Sequence, residues 1–235
     1  MIKSVAFGVM ALVAGLAFAA DAPKDDVVKA AKKLGDAANY SWKTTTEMAG
    51  GGGQNRPGGR EGKIEKGGFT MLSMPRAQST TEVVIKGTKG AIKTGDAWQS
   101  LEEAAADTQG PGRFMGRMVQ TFKAPAAEAE DLAGKAKELK LADGVYSGDL
   151  TEDGAKSLLM MGGRGGNNPP EIAGAKGSVK FWVKDGTLTK FQSNVQGKVT
   201  FNNNEREVDR TTTTEIKDVG STKVDVPEDA KKKIG

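Results

Sequence analysis

Acid–base and nucleophilic chemistry have little to work with in this sequence. It holds no histidine and no cysteine. That removes the commonest general base, the commonest metal ligand and every Ser–His or thiol nucleophile system. Carboxylates remain. Asp149, Glu152 and Asp153 cluster, but without the alternating Asp/Asn spacing of a calcium loop, and a helix N-terminus accounts for their charge. No pair of carboxylates stands out as the acid and base of a hydrolase. Lys93-Thr94-Gly95 matches the KTG of penicillin-interacting serine enzymes, yet no serine has a lysine three residues on. The glycine-rich stretches at 50–59 and 162–166 are not followed by Gly-Lys-Ser/Thr, so neither reads as a phosphate cradle. No catalytic residue, metal site or cofactor is expected, and the chain reads as a non-enzyme.

What the sequence does supply is large apolar side chains at positions that can meet. The candidate ligand lining is Trp42, Phe69, Met71, Trp98, Phe114, Met118, Trp182 and Phe191, chosen for size and position. Phe114, Met115, Met118 and Phe122 fall on one face of a helix expected over Arg113 to Phe122. Methionine re-packs cheaply, so such a stripe serves either an irregular core or an adaptable binding surface. A site of this kind would bind by burial, at about 25 cal/mol per Å² of apolar area before binding costs.

The elements that must position these residues follow from pattern. Residues 1–19 read as a secretory signal peptide: a basic start, an apolar run from Val5 to Phe18 too short to span a bilayer, then Ala17-Phe18-Ala19. Residues 20–235 read as a single domain, periplasmic or secreted, with no transmembrane span once the signal is removed. The net charge of +4 is mild and interspersed, which argues against nucleic acid. Pro23 to Asp36 reads as a helix with one apolar stripe, and strands follow at Asn39 to Met48 and Arg60 to Glu65. Phe69 to Met74 reads as a buried strand, and Gln78 to Lys86 with Ala91 to Thr94 as a hairpin. Then the period changes. Ser100 stands three residues before Glu103, a capping-box spacing, and helices are expected at 100–107, from Pro125 to about Leu139, and from Thr151 to Met161. Two loops rich in glycine and asparagine, 49–59 and 162–170, punctuate the chain.

Ser178 to Gly220 alternates polar and apolar residues and is broken at Asp185-Gly186, Gly197 and Asn202 to Asn204. With Asp185-Gly186 as a two-residue turn, Val183 faces Leu188 and Phe181 faces Lys190, while Trp182 lies near Thr189 and Phe191 across from Lys180. Large apolar groups then stand on both faces of the hairpin. Either both faces are covered by other layers, or one face lines a cavity.

Val179 to Gln192 (VKFWVKDGTLTKFQ) and the ending DVGSTKVDVPEDAKKKI resemble the LolA-like superfamily of outer-membrane lipoprotein-sorting carriers and LppX- and LprG-type lipoproteins. The resemblance implies an α+β fold: a curved antiparallel sheet forming a half-open barrel with helices covering the concave side, where lipid chains are held. The implied partners are a lipid or an acylated protein, together with envelope proteins. The chain departs from that pattern in its two glycine-rich loops and in lacking a cysteine for lipid attachment. The competing expectation is a non-catalytic envelope module with a filled core, whose glycine-rich loops face a partner.

Overall fold

The structure is a computed structural model that describes residues 22–49, 59–75, 79–106, 119, 121–160 and 169–235. The expected signal peptide, most of both glycine-rich loops, and Phe114, Met115 and Met118 lie outside these residues.

The protein is α+β. Eleven strands form one antiparallel sheet. In chain order they are β1 (Asn39–Met48), β2 (Arg60–Glu65), β3 (Thr70–Pro75), β4 (Thr80–Lys86), β5 (Lys89–Thr94), β6 (Ala97–Ser100), β7 (Lys140–Ala142), β8 (Val145–Asp149), β9 (Glu171–Lys184), β10 (Thr187–Phe201) and β11 (Asn204–Lys217). The spatial order is β6-β5-β4-β3-β2-β1-β11-β10-β9-β8-β7, so the sheet is open between β6 and β7. Five helices are present among the described residues: α1 (Ala22–Asp36), α2 (Leu101–Ala106), α3 (Pro125–Lys135), α4 (Glu152–Met160) and α5 (Glu228–Ile234).

Alternation along the strands sorts the core into two clusters. On one face Leu72, Val83 and Ile92 join Trp42, Phe181, Phe191 and Val195, covered by α1, α2, α3 and α4. On the other face Val84, Ala91 and Trp98 pack against Val226, Ala230 and Ile234 of the C-terminal segment and α5. Among the described residues that second cover lies over the β3–β6 end. Beyond it the same face carries rows of Thr, Gln, Asn and Lys, such as Gln192 Nε2 donating to Thr213 Oγ1 at 2.9 Å and Asn194 Nδ2 donating to Asp209 Oδ1 at 2.8 Å.

Helix starts follow the expected chemistry. Glu103 N–H donates to Ser100 Oγ at 3.1 Å and Ser100 N–H to Glu103 Oε2 at 2.9 Å, a complete capping box. Ser100→Ala should cost about 1 kcal/mol, measurable by urea denaturation as a lower midpoint at unchanged slope. Thr151 caps α4 by accepting from Gly154 N–H at 3.0 Å. The helix from Pro125 stops at Lys135 and not near Leu139. Ala136 is extended and bridges Leu150, and Lys137 N–H bonds Asp149 C=O at 2.8 Å, so strand pairing takes over from the helix. The 78–94 hairpin also differs in detail: β5 begins at Lys89, leaving Gly87-Thr88 as its turn.

The β9–β10 hairpin corrects the expected two-sidedness. Asp185 and Gly186 have φ of 52° and 70°, the positive pair that a tight primed turn demands. Leu188 faces Val183 as expected. A bulge at Thr189 then shifts the register, so Lys190 pairs with Trp182 and Phe191 with Phe181. Phe181, Leu188 and Phe191 therefore share the helix-covered face, and Trp182 stands on the other. Gly197 is no break either: it lies inside β10, opposite a second bulge at Gly174 and Ala175, where Gly174 takes a φ of 62°.

Candidate functional site

The first strands and α3 build the site. β1 places Tyr40, Trp42 and Thr44 on the helix-covered face, and β2 places Arg60, Gly62 and Ile64 opposite them. Gly62 is required beneath the indole: a Cβ there would come within 2.2 Å of the Trp42 ring. The ring therefore lies flat over β2. It meets Tyr40 at 5.8 Å and stacks on Phe122 at 6.3 Å between centroids. Thr44 and Thr214, both buried, share a hydrogen bond of 2.9 Å between their hydroxyls.

A cleft of about 370 Å³ opens beside this cluster. Its walls are apolar, from Ala31, Gly35 and Ala37 at the end of α1, Tyr40 and Ile64 on the strands, and Ala126 and Ala127 at the start of α3. Its rim is charged. Lys32 of α1 reaches Glu130 of α3 at 3.7 Å, and Lys66 reaches Asp36 at 2.8 Å. The Lys66 hydrogen bond holds the Asp36 carboxyl below its ordinary range. These pairs are solvent-exposed and hold the rim only weakly.

Tyr40 is the titratable group on the floor. Burial pushes its phenol up to about 12, offset in part by a hydrogen bond from the Ala126 backbone. A raised folded value means that stability from the neutral phenol is complete below pH 10 and is lost as pH rises through 12. The wild type should lose about 2–3 kcal/mol over that window. Tyr40→Phe should flatten this alkaline limb, which chemical denaturation at stepped pH would read.

Arg60 crosses from β2 to α3, donating from Nη2 to Glu128 Oε2 at 3.0 Å. Burial raises the Glu128 carboxyl against the opposing pull of Arg60. Two donors in this neighbourhood have no partner: Trp42 Nε1 and Arg60 Nε are both buried and unbonded among the described residues. Nothing in the sequence reading singled out Arg60, Glu128 or Tyr40. The clue was a Trp two residues past a Tyr on a strand whose neighbour carries Arg-x-Gly.

The expected lining is not brought together. Trp42 and Phe191 both enter the helix-covered core. Phe69, Met71 and Trp98 belong to the cluster under α5 on the opposite face, because strand alternation turns Met71 away from Leu72. Trp182 faces the polar side, with Lys190 Nζ 4.7 Å from its ring centroid. Phe114 and Met118 lie outside the described residues. No group of three or more carboxylates stands close enough to hold a metal ion among the described residues.

No protein-family model and no curated protein matches the sequence. Some solved structures resemble the chain in overall layout. Over 89% of its length it resembles LprF from Mycobacterium bovis (11% identity, TM-score 0.46, 97% of that chain). Lipoprotein LppX from Mycobacterium tuberculosis follows, with 10% identity and a TM-score of 0.47 over 89% of this chain and 100% of that one. A LolA superfamily protein from Nitrosomonas europaea shows 9% identity and a TM-score of 0.31 over 90% of this chain and 96% of that one. Likeness at these scores carries no argument about ligand or activity, which rest on the residues.

Proposed function

We propose that this is an exported, non-catalytic binding protein that holds an apolar chain, from a lipid or an acylated protein, between the sheet and its helices. In this reading residues 20–235 act as one domain, the sheet curves as a half-open barrel, and α1 and α3 stand over its concave side. The observation that carries the proposal is the cleft beside Tyr40, with its apolar walls and charged rim. Its volume of about 370 Å³ is near the lower end of small-molecule pockets. A single slender chain suits that space better than a multi-chain lipid. The rim pairs between Lys32 and Glu130 and between Lys66 and Asp36 are weak enough to part on entry.

Native mass spectrometry of protein purified from its own envelope should find an apolar ligand of constant mass, and a fluorescent fatty acid should bind saturably. Protein that is repeatedly empty and shows no saturable uptake would sink the proposal. A filled-core interaction module is the second reading. The close α1–α3 packing through Ala30, Ala31, Ala129 and Ala133, all essentially fully buried, favours it. The same uptake experiment separates the two.

A further inference from the structure

Strands and helices do not end together on the helix-covered face. β8 stops pairing with β9 at Asp149–Ser178, and β1 stops pairing with β11 at Met48–Arg210. β9, β10 and β11 run on past both as a three-stranded tongue, with the Asn202-Asn203 turn at its tip. α4 follows part of the way. Its Leu159 packs over Gly197, where an added Cβ would come within 2.8 Å of the leucine Cδ1, and the helix stops at Met160. From Gly197 to Phe201 the strand reaches about 13 Å further.

The apolar face continues into this less covered part. Along β10 Val195 is 2% exposed, Val199 is partly buried, and Phe201 near the tip is 40% exposed. Met48 and Met160, at the root of the tongue, are 48% and 47% exposed. These are three of the five large apolar side chains that stand exposed among the described residues, so the patch is a concentration and not scatter.

Charge on the tongue is sorted by face. β11 alternates, so Arg206 and Arg210 share the face of Phe201 and Met48, while Glu205, Glu207 and Asp209 take the other. Side-chain bonds agree. Arg210 donates to the Leu158 carbonyl of α4 at 2.6 Å. On the opposite face Asp209 accepts from Asn194 and Gln196, and Glu205 meets Lys198 at 3.0 Å. Neither arginine has a carboxylate partner among the described residues. Phe, Met and Val with two arginines and no acid complement an anionic amphiphile: the apolar groups suit acyl chains, and guanidinium forks suit phosphate. The tip is a tight turn, with Asn202 and Asn203 at φ of 49° and 60°. A protruding turn offers a peptide no groove, whereas it can press into a bilayer.

We infer that this tongue docks on an anionic lipid surface, with Phe201 at the acyl boundary and Arg206 and Arg210 on lipid phosphates. This goes beyond the cleft reading and does not depend on it.

The test is co-sedimentation of the full folded protein with vesicles of phosphatidylcholine alone or mixed equally with phosphatidylglycerol. The wild type should bind the anionic vesicles about tenfold more tightly, and high salt should erase the difference. Arg206→Gln should lose roughly fivefold on anionic vesicles. Lys198→Gln removes the same charge from the opposite face and should stay within about twofold of wild type. Phe201→Ser should lose about tenfold. All three side chains are exposed, so the variants should keep the wild-type Tm. The chain holds no cysteine, so Phe201→Cys can carry a single apolar, environment-sensitive dye in place of the ring, and its emission should shift to the blue on anionic vesicles. Equal losses in Arg206→Gln and Lys198→Gln, a dye unmoved by vesicles, or no binding of the wild type overturns the inference and leaves the cleft reading untouched. A vesicle-free dimer that Phe201→Ser abolishes gives the face to a second copy and overturns it too.

Discussion

Phe191→Ala should destabilise the protein by about 3–5 kcal/mol. Phe191 is 2% exposed, and Phe181, directly across the strand pair, is fully buried. The two rings form a cross-strand pair on the helix-covered face, so removing one deprives the other of its neighbour as well as leaving a cavity. The expectation depends on the bulge at Thr189. Without it, Phe191 would point to the polar face and its loss would resemble that of Trp182, whose ring is half-buried under Lys190. Trp182→Ala is therefore the control. It should cost clearly less, and urea denaturation of both variants should show the difference in midpoint. Equal costs would mean that the hairpin register is wrong.

That bulge also marks where the sequence stopped being readable. β1 and β2 run over the residues that their Thr-rich and alternating patterns indicate, and the Ser100–Glu103 box closes at the expected spacing. These are local features, set by side chains within a few residues of one another. A bulge is different. Leu188-Thr189-Lys190-Phe191 alternates acceptably in either register, and what selects one is the burial of Phe181 and Phe191 together under α1. The Asp143-Gly144 hairpin, with φ of 51° and 76°, was within reach of the sequence, since it carries the same primed-turn signal as Asp185-Gly186. The candidate lining failed for a further reason. Size and hydrophobicity say that Phe69, Met71 and Trp98 are covered, but not that α5, between 130 and 165 residues further on, is the cover. Arg60 and Glu128 were invisible because their partnership crosses 68 residues.

Gly62→Ala tests the site by filling the one position that it keeps empty. The added Cβ would stand 2.2 Å from the Trp42 ring, and that ring cannot swing aside: Tyr40 and Phe122 hold it on two sides. The expected cost is about 3 kcal/mol, at the upper end of ordinary overpacking, because strand and ring are both rigid. Thermal unfolding would read it as a fall in Tm. The double variant Gly62→Ala/Trp42→Phe should recover a substantial part of that loss, since the smaller ring vacates the space that the methyl takes. Non-additivity of this sign locates the strain at the Gly62–Trp42 contact and not in β2 pairing, which both variants share.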